Sequence, residues 1–327
     1  MALVCQSWLP RAQILLLLAT ACAATPHAHG QTLPNIRVDE TEILPPGAAI
    51  LGEGPPQEVF DYDAWLAGGD DASPSTGWHL QVLPDGILYR AYLANPKESR
   101  LGTQIFDEGD RALWDSTLGG RIGLVRFGSA GGTVPEGWQF DLEGSAQVRL
   151  HADDNLDLQS VDYRVGAPLT YAAGPQRFKL GYYHLCSHTG DEFLLAHPSF
   201  QRLNYVRDTV VLGYAYFLTE ELRAYSEAGY AFDTQISEPW EVQFGLELAP
   251  TRPTGLRGAP FLAAHGHLRQ ELDYSGNFTL QAGWAWHSDR STHLLRTGFH
   301  YYNGLSDQYQ FFRHFEHQLG AGVWYDY

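Results

Sequence analysis

The chain predicts an all-β fold: an antiparallel transmembrane β-barrel of about twelve strands, behind an N-terminal signal peptide and an irregular leader. Three observations carry this prediction. Apolar and polar residues alternate with period two from about Gly86 to the last residue. The alternating segments run about 10–13 residues, the length a tilted strand needs to cross a bilayer. The chain also begins with an export signal but has no apolar run long enough for a membrane-spanning helix.

Residues 1–30 read as the signal peptide. One basic residue, Arg11, precedes the apolar run Ile14–Ala23, and small residues follow, with cleavage after Ala23 or Gly30. A lipoprotein alternative would use Cys22, but Ala19 stands where a large aliphatic residue is expected. Cys5 and Cys22 leave with the signal, so Cys186 is the mature chain's cysteine and no disulfide framework is expected. Residues 31–85 are rich in Pro, Gly and Asp and read as a leader or periplasmic segment with little core of its own.

Residues 86–327 read as the barrel. Strands are expected near 86–95, 117–128, 137–150, 158–173, 176–188, 207–218, 221–232, 239–249, 259–271, 277–288, 293–303 and 315–327. The alternation is plain in Gln139–Leu150. Gln139, Asp141, Glu143, Ser145, Gln147 and Arg149 form one face; Phe140, Leu142, Gly144, Ala146, Val148 and Leu150 form the other. A soluble sandwich also alternates. Here the polar face is densely charged and holds glycines, as a lumen does, while the apolar face ends in aromatics, as an interfacial girdle does. Only closed β structures satisfy their backbone in lipid. An even strand count puts both chain ends on the periplasmic side, so the fifth strand ends at the outer surface. The expected location is the outer membrane of a Gram-negative bacterium, reached by signal-peptide export.

A formal net charge of -17 excludes a nucleic-acid partner, because phosphates need a basic surface. The expected partners are outer-membrane lipids and, through the final strand ending in Tyr327, the barrel-assembly machinery. No cofactor is implied.

The polar face carries Arg121, Asp141, Glu143, Arg149, Asp162, Arg164, Arg223, Glu227, Glu241, Glu247, His265, His267, Arg269, Arg296 and His300. In a barrel of this size such side chains fill the interior by pairing across it, which leaves a narrow channel or none. A filled lumen is the expectation, with a narrow passive channel as an alternative, and the leader is a candidate plug.

The densest chemistry lies in GYYHLCSHTGDEF, residues 181–193. With Arg177 and Lys179 facing the lumen, parity turns His184, Cys186 and His188 outward near the outer rim, and Ser187 inward. Parity also puts Arg202, Asn204 and Asp208 of the next strand on the outer face. A metal site would need a turn that gathers His188, Asp191 and Glu192, since His184 and His188 are about 13 Å apart along a strand. A binding reading makes this an interfacial belt, with Asp191 and Glu192 pairing with Arg202 and Arg207 beside His188.

The runs DGILYRAYLANPKESRLGTQIF, STLGGRIGLVRFG, GWQFDLEGSAQVRL, DYRVGAPLTY, YHLCSHTGDEF, RLNYVRD and RAYSEAGYAF resemble the bacterial envelope family known as domain of unknown function 1207. The resemblance covers the chain from about Trp78 and implies a barrel-like envelope protein without a known activity. Cys186 departs from it, since serine is expected there. The His-x-Cys spacing is also similar to the outer-membrane phospholipase and lipid A deacylase families. They place a His-x-Ser pair on one strand and an orienting polar residue on the next. That resemblance implies His184 as base, Cys186 as nucleophile and Asn204 as orienter of an outer-leaflet lipid acyl hydrolase.

Overall fold

The computed structural model describes residues 77–109, 111–129, 135–153, 155–289 and 291–327. The signal peptide, Cys5, Cys22 and the leader up to residue 76 lie outside the described residues. The strands are β1 (His79–Val82), β2 (Leu101–Glu108), β3 (Arg111–Gly128), β4 (Gly137–His151), β5 (Asp157–Ala173), β6 (Gln176–Thr189), β7 (Val206–Phe217), β8 (Leu222–Thr234), β9 (Trp240–Leu248), β10 (Ala259–Arg269), β11 (Gly276–His287), β12 (Leu294–Leu305) and β13 (Phe315–Asp326). From β2 onward each strand pairs antiparallel with the next, and β13 pairs back onto β2, from Leu319 opposite Asp107 to Tyr325 opposite Leu101. Twelve strands thus close into a barrel without a free edge, which is how a sheet satisfies its whole backbone ladder.

The predicted faces are the observed ones. Phe140, Leu142, Phe178, Leu180, Leu212, Leu246, Phe299 and Leu319 are exposed on the outer wall, and the inward residues between them are buried. Aromatics gather at both ends of that wall. Near the end that holds Tyr327, Trp78 packs on Phe127 and Tyr171, and the run continues through Phe178 to Tyr214. Toward the other end Tyr182 meets Phe232, and Tyr230 meets Trp240.

The first barrel strand is a correction. It is β2, Leu101–Glu108, and not the segment 86–95. Ile87, Leu88, Tyr89, Ala91, Tyr92, Leu93 and Ala94 are all buried, so both parities of that stretch are inside and its alternation has no lipid-facing side. The chain runs through the lumen from about residue 84 to Arg100. Tyr92 donates to Glu227 at 2.9 Å, the Leu93 amide to Glu247 at 2.6 Å, and Asn95 to Gln243 at 2.9 Å. Lys97 pairs with Asp162 at 2.6 Å and Arg100 with Asp326 at 2.8 Å. Just ahead of this plug, β1 lies on the last residues of β3, Val82 opposite Val125. It occupies sheet edge that β2, only 8 residues long, does not reach. So the leader contributes a strand at its end rather than irregular chain throughout.

Small residues make room for the plug. A Cβ on Gly213 of β7 would sit 3.0 Å from both the Tyr89 hydroxyl and the Glu227 carboxylate. The wall charges close on one another: Arg121 on Asp141, Arg164 on Glu143, Arg223 on Glu247 and Arg296 on Asp326. Arg149 gathers Asp115, Glu316 and Asp307. Removing one partner of such a buried pair costs about 3–5 kcal/mol, because the other charge is left uncompensated. At the end away from Tyr327, the β12–β13 connection folds inward. Asp307, Gln308, Tyr309, Gln310 and Phe311 are buried over the plug, and Tyr309 stacks on Tyr205.

Candidate active site on the outer wall

β6 runs toward the end away from Tyr327, and its parity holds. Arg177, Lys179, Tyr183, Leu185 and Ser187 are buried on the lumen side. Phe178, Leu180 and Tyr182 are exposed, and His184 and Cys186 are half-buried on the same outer face. Ser187 donates to the Asp162 carboxylate inside the barrel and takes no part in the outer face.

The β6–β7 register decides which residue stands beside His184. His184 is opposite Asp208, and Cys186 is opposite Val206, the last paired residue of β7. The imidazole Nδ1 lies 2.9 Å from Asp208 Oδ1. Tyr182, one step nearer the middle of the wall, donates its hydroxyl to the same Oδ1 at 2.5 Å. A β-bulge between Asp208 and Thr209 re-aims β7 at this point, as bulges beside working sites do. Asp233 of β8 faces Asp208 across the ladder, and its negative charge favours a cationic imidazole.

Asn204 does not reach His184. It precedes β7, is exposed, and its amide donates to Gln235. Asp208 takes the place expected for it. Parity alone admits Asn204 and Asp208 equally, and the sequence reading missed Tyr182 because only register shows which carboxylate its hydroxyl can reach. His188 is exposed and meets the Tyr163 ring edge-on at 5.8 Å. Asp191 and Glu192 open a short helix, α1 (Asp191–Ala196), where both are exposed. Arg202 is exposed before β7. The pairing of Asp191 and Glu192 with Arg207 is a correction. Arg207 faces the lumen, fully buried, with Nη1 3.5 Å from Glu241 and 3.8 Å from Glu271. No cluster of three or more His, Cys, Asp or Glu able to hold a metal occurs among the described residues.

The arrangement is thus a carboxylate, an imidazole and a thiol in file along one outward face, with a phenol hydroxyl on the carboxylate. A carboxylate on Nδ1 fixes the tautomer that leaves Nε2 as the basic nitrogen. Side chains two apart on a strand share a face about 7 Å apart, a separation an imidazole and a thiol can bridge toward each other or toward one bound group.

A closed antiparallel barrel with a filled interior and an apolar outer wall defines the class. Within it, the chain belongs to the family described as Protein of unknown function (DUF1207), which matches residues 71–327. No curated protein matches the sequence. Among solved structures the chain is similar to the KdgM porin, at 12% identity and a TM-score of 0.40, over 69% of this chain and 98% of that one. It is also similar to outer membrane phospholipase A from Escherichia coli, at 12% identity and a TM-score of 0.44, over 71% of this chain and 91% of that one. The Salmonella typhi outer membrane phospholipase dimer with bound calcium aligns at 11% identity and a TM-score of 0.45, over 69% and 90%.

Proposed function

We propose that this protein is an integral outer-membrane barrel, closed to solutes, whose chemistry lies on its lipid-facing wall: acyl-ester hydrolysis by Cys186, His184 and Asp208. The observation that carries the reading is the 2.9 Å contact of His184 with Asp208 from the adjacent strand, beside a cysteine on the same face. An apolar wall with aromatics at both ends supports residence in a bilayer. A carboxylate, an imidazole and a thiol on such a wall are costly unless they lie near the interface. The substrate class is therefore an ester linkage at the level of the headgroups.

In this reading His184 takes the thiol proton as Cys186 attacks the ester carbonyl. The alcohol leaves with that proton and a thioester remains. Water, deprotonated by His184, then releases the carboxylic acid and restores the thiol. Asp208 holds the imidazole in place and stabilises its charged form. Tyr182 helps hold the carboxylate.

The test is acyl-ester release by the protein purified in detergent micelles, comparing wild type with His184→Ala and Cys186→Ala. The folded band on a heat-modifiability gel serves as control. Release abolished in both variants with the folded band intact is the expected result. Release that persists at the wild-type rate in either variant would sink the hydrolase reading and leave the cluster an interfacial belt.

A further inference from the structure

A second site lies at the barrel mouth on the Tyr327 side, where the plug begins. A cavity of about 580 Å³ opens between the plug residues Ile87, Leu88 and Arg90 and the turns that end the strands around them. Most of its wall is apolar, formed by Ile87, Leu88, Pro175 and Phe217. The size and lining are those of a site for one small ligand, a range of about 300–1,000 Å³ with a few polar groups placed for orientation.

Two polar groups in that wall are unsatisfied. The inward arginines of the strands, Arg121, Arg149, Arg164, Arg207, Arg223, Arg269 and Arg296, each have a carboxylate within ion-pair distance. Arg90 differs from all of them. Its guanidinium, half-buried in the cavity wall, has no carboxylate or hydrogen-bond acceptor among the described residues. The Thr292 hydroxyl, on the same wall, is buried and likewise without a partner.

The charge of the cavity is positive. Glu220 is on its rim but is already engaged by Arg252 at 2.5 Å and by the Thr251 hydroxyl at 3.2 Å. Arg177 adds a second guanidinium, which donates to the Gly174 and Gln176 carbonyls. Buried polar groups are normally satisfied, so a donor fork and a hydroxyl left open in an apolar recess mark the missing head of a ligand. A planar, two-oxygen anion matches a guanidinium fork.

We infer that this cavity binds a fatty acid, with its carboxylate on Arg90 and Thr292 and its alkyl chain along Ile87, Leu88 and Phe217. The inference is independent of the outer-wall chemistry, because the ligand has no ester to cleave.

The experiment is equilibrium binding of radiolabelled dodecanoate to the full barrel in nanodiscs of zwitterionic lipid, with dodecanol, dodecyl phosphate and dodecyltrimethylammonium as comparison probes. Saturable binding of one dodecanoate per barrel is expected, at least about tenfold tighter than dodecanol, as a charge-assisted fork contact warrants. Arg90→Gln should remove that advantage and leave dodecanol unchanged. Leu88→Trp, which fills the cavity, should exclude both. Dodecanoate no tighter than dodecanol on the wild type would overturn the site, as would full affinity in Arg90→Gln. Tighter binding of dodecyl phosphate would overturn the carboxylate assignment. The wild-type headgroup series decides the matter even if a variant fails to assemble.

Discussion

His184 can act as a base only while Asp208 holds the Nδ1 proton, so the residue-scale prediction falls on Asp208. Asp208→Asn keeps the size of the side chain but loses the charge that stabilises an imidazolium. It should lower acyl-ester release about 10²-fold or more with the fold unchanged. Cys186→Ser should retain part of the activity, because the base and its orienter stay in place. A rate in Asp208→Asn equal to wild type, measured on the same micellar ester, would remove Asp208 from the mechanism. The His-x-Cys pair and its outward face were legible from parity alone. Its partner was not, because Asn204, Val206 and Asp208 share one parity. Only the pairing of His184 with Asp208, and the end of β7 at Val206, chooses among them.

At the scale of the element, the plug is held by side chains far away in sequence. Lys97 and Asp162 form one such tie, both buried. Lys97→Ala should destabilise the barrel by about 3–5 kcal/mol in a denaturant titration, and Lys97→Ala combined with Asp162→Asn should recover much of the loss. Additive losses in that double-mutant cycle would show that the pair does not couple. The β12–β13 connection makes a pH-dependent tie. Burial raises the Asp307 carboxyl, but the charges of Lys97 and Arg149 outweigh it and hold the carboxyl below its ordinary value. A lowered folded-state value adds stability above the ordinary aspartate range and loses it as pH falls through the folded value. Residues 306–314 should therefore stay protected at neutral pH and loosen below about pH 4. Hydrogen exchange corrected for intrinsic rates is the measurement, and equal protection at both pH values would refute the tie. The plug itself was misread as a strand because GILYRAYLAN is apolar on both parities. In a barrel that pattern belongs to a segment surrounded by wall, not to one with a lipid side and a lumen side.

Over the whole molecule, the filled interior sets what the barrel can conduct. Wild-type protein in a planar bilayer should show no steady ion conductance. Combining Tyr92→Ala, Lys97→Ala and Arg100→Ala removes three of the plug's ties to the wall, to Glu227, Asp162 and Asp326. That variant should conduct, and steady conductance from the wild type would contradict a closed lumen. Local sequence pattern by itself determined the all-β class, the number of barrel strands, the face of nearly every strand and the charged character of the interior. Each of these follows from the two-residue period of an extended chain placed between an apolar and a polar surround. Tertiary structure alone decided which segment begins the barrel, which carboxylate meets His184, that the chain fills its own lumen, and that Arg90 stands beside an open apolar recess. Those depend on register and on contacts between residues more than a hundred positions apart, such as Tyr92 with Glu227, and a period-two pattern holds no information about either.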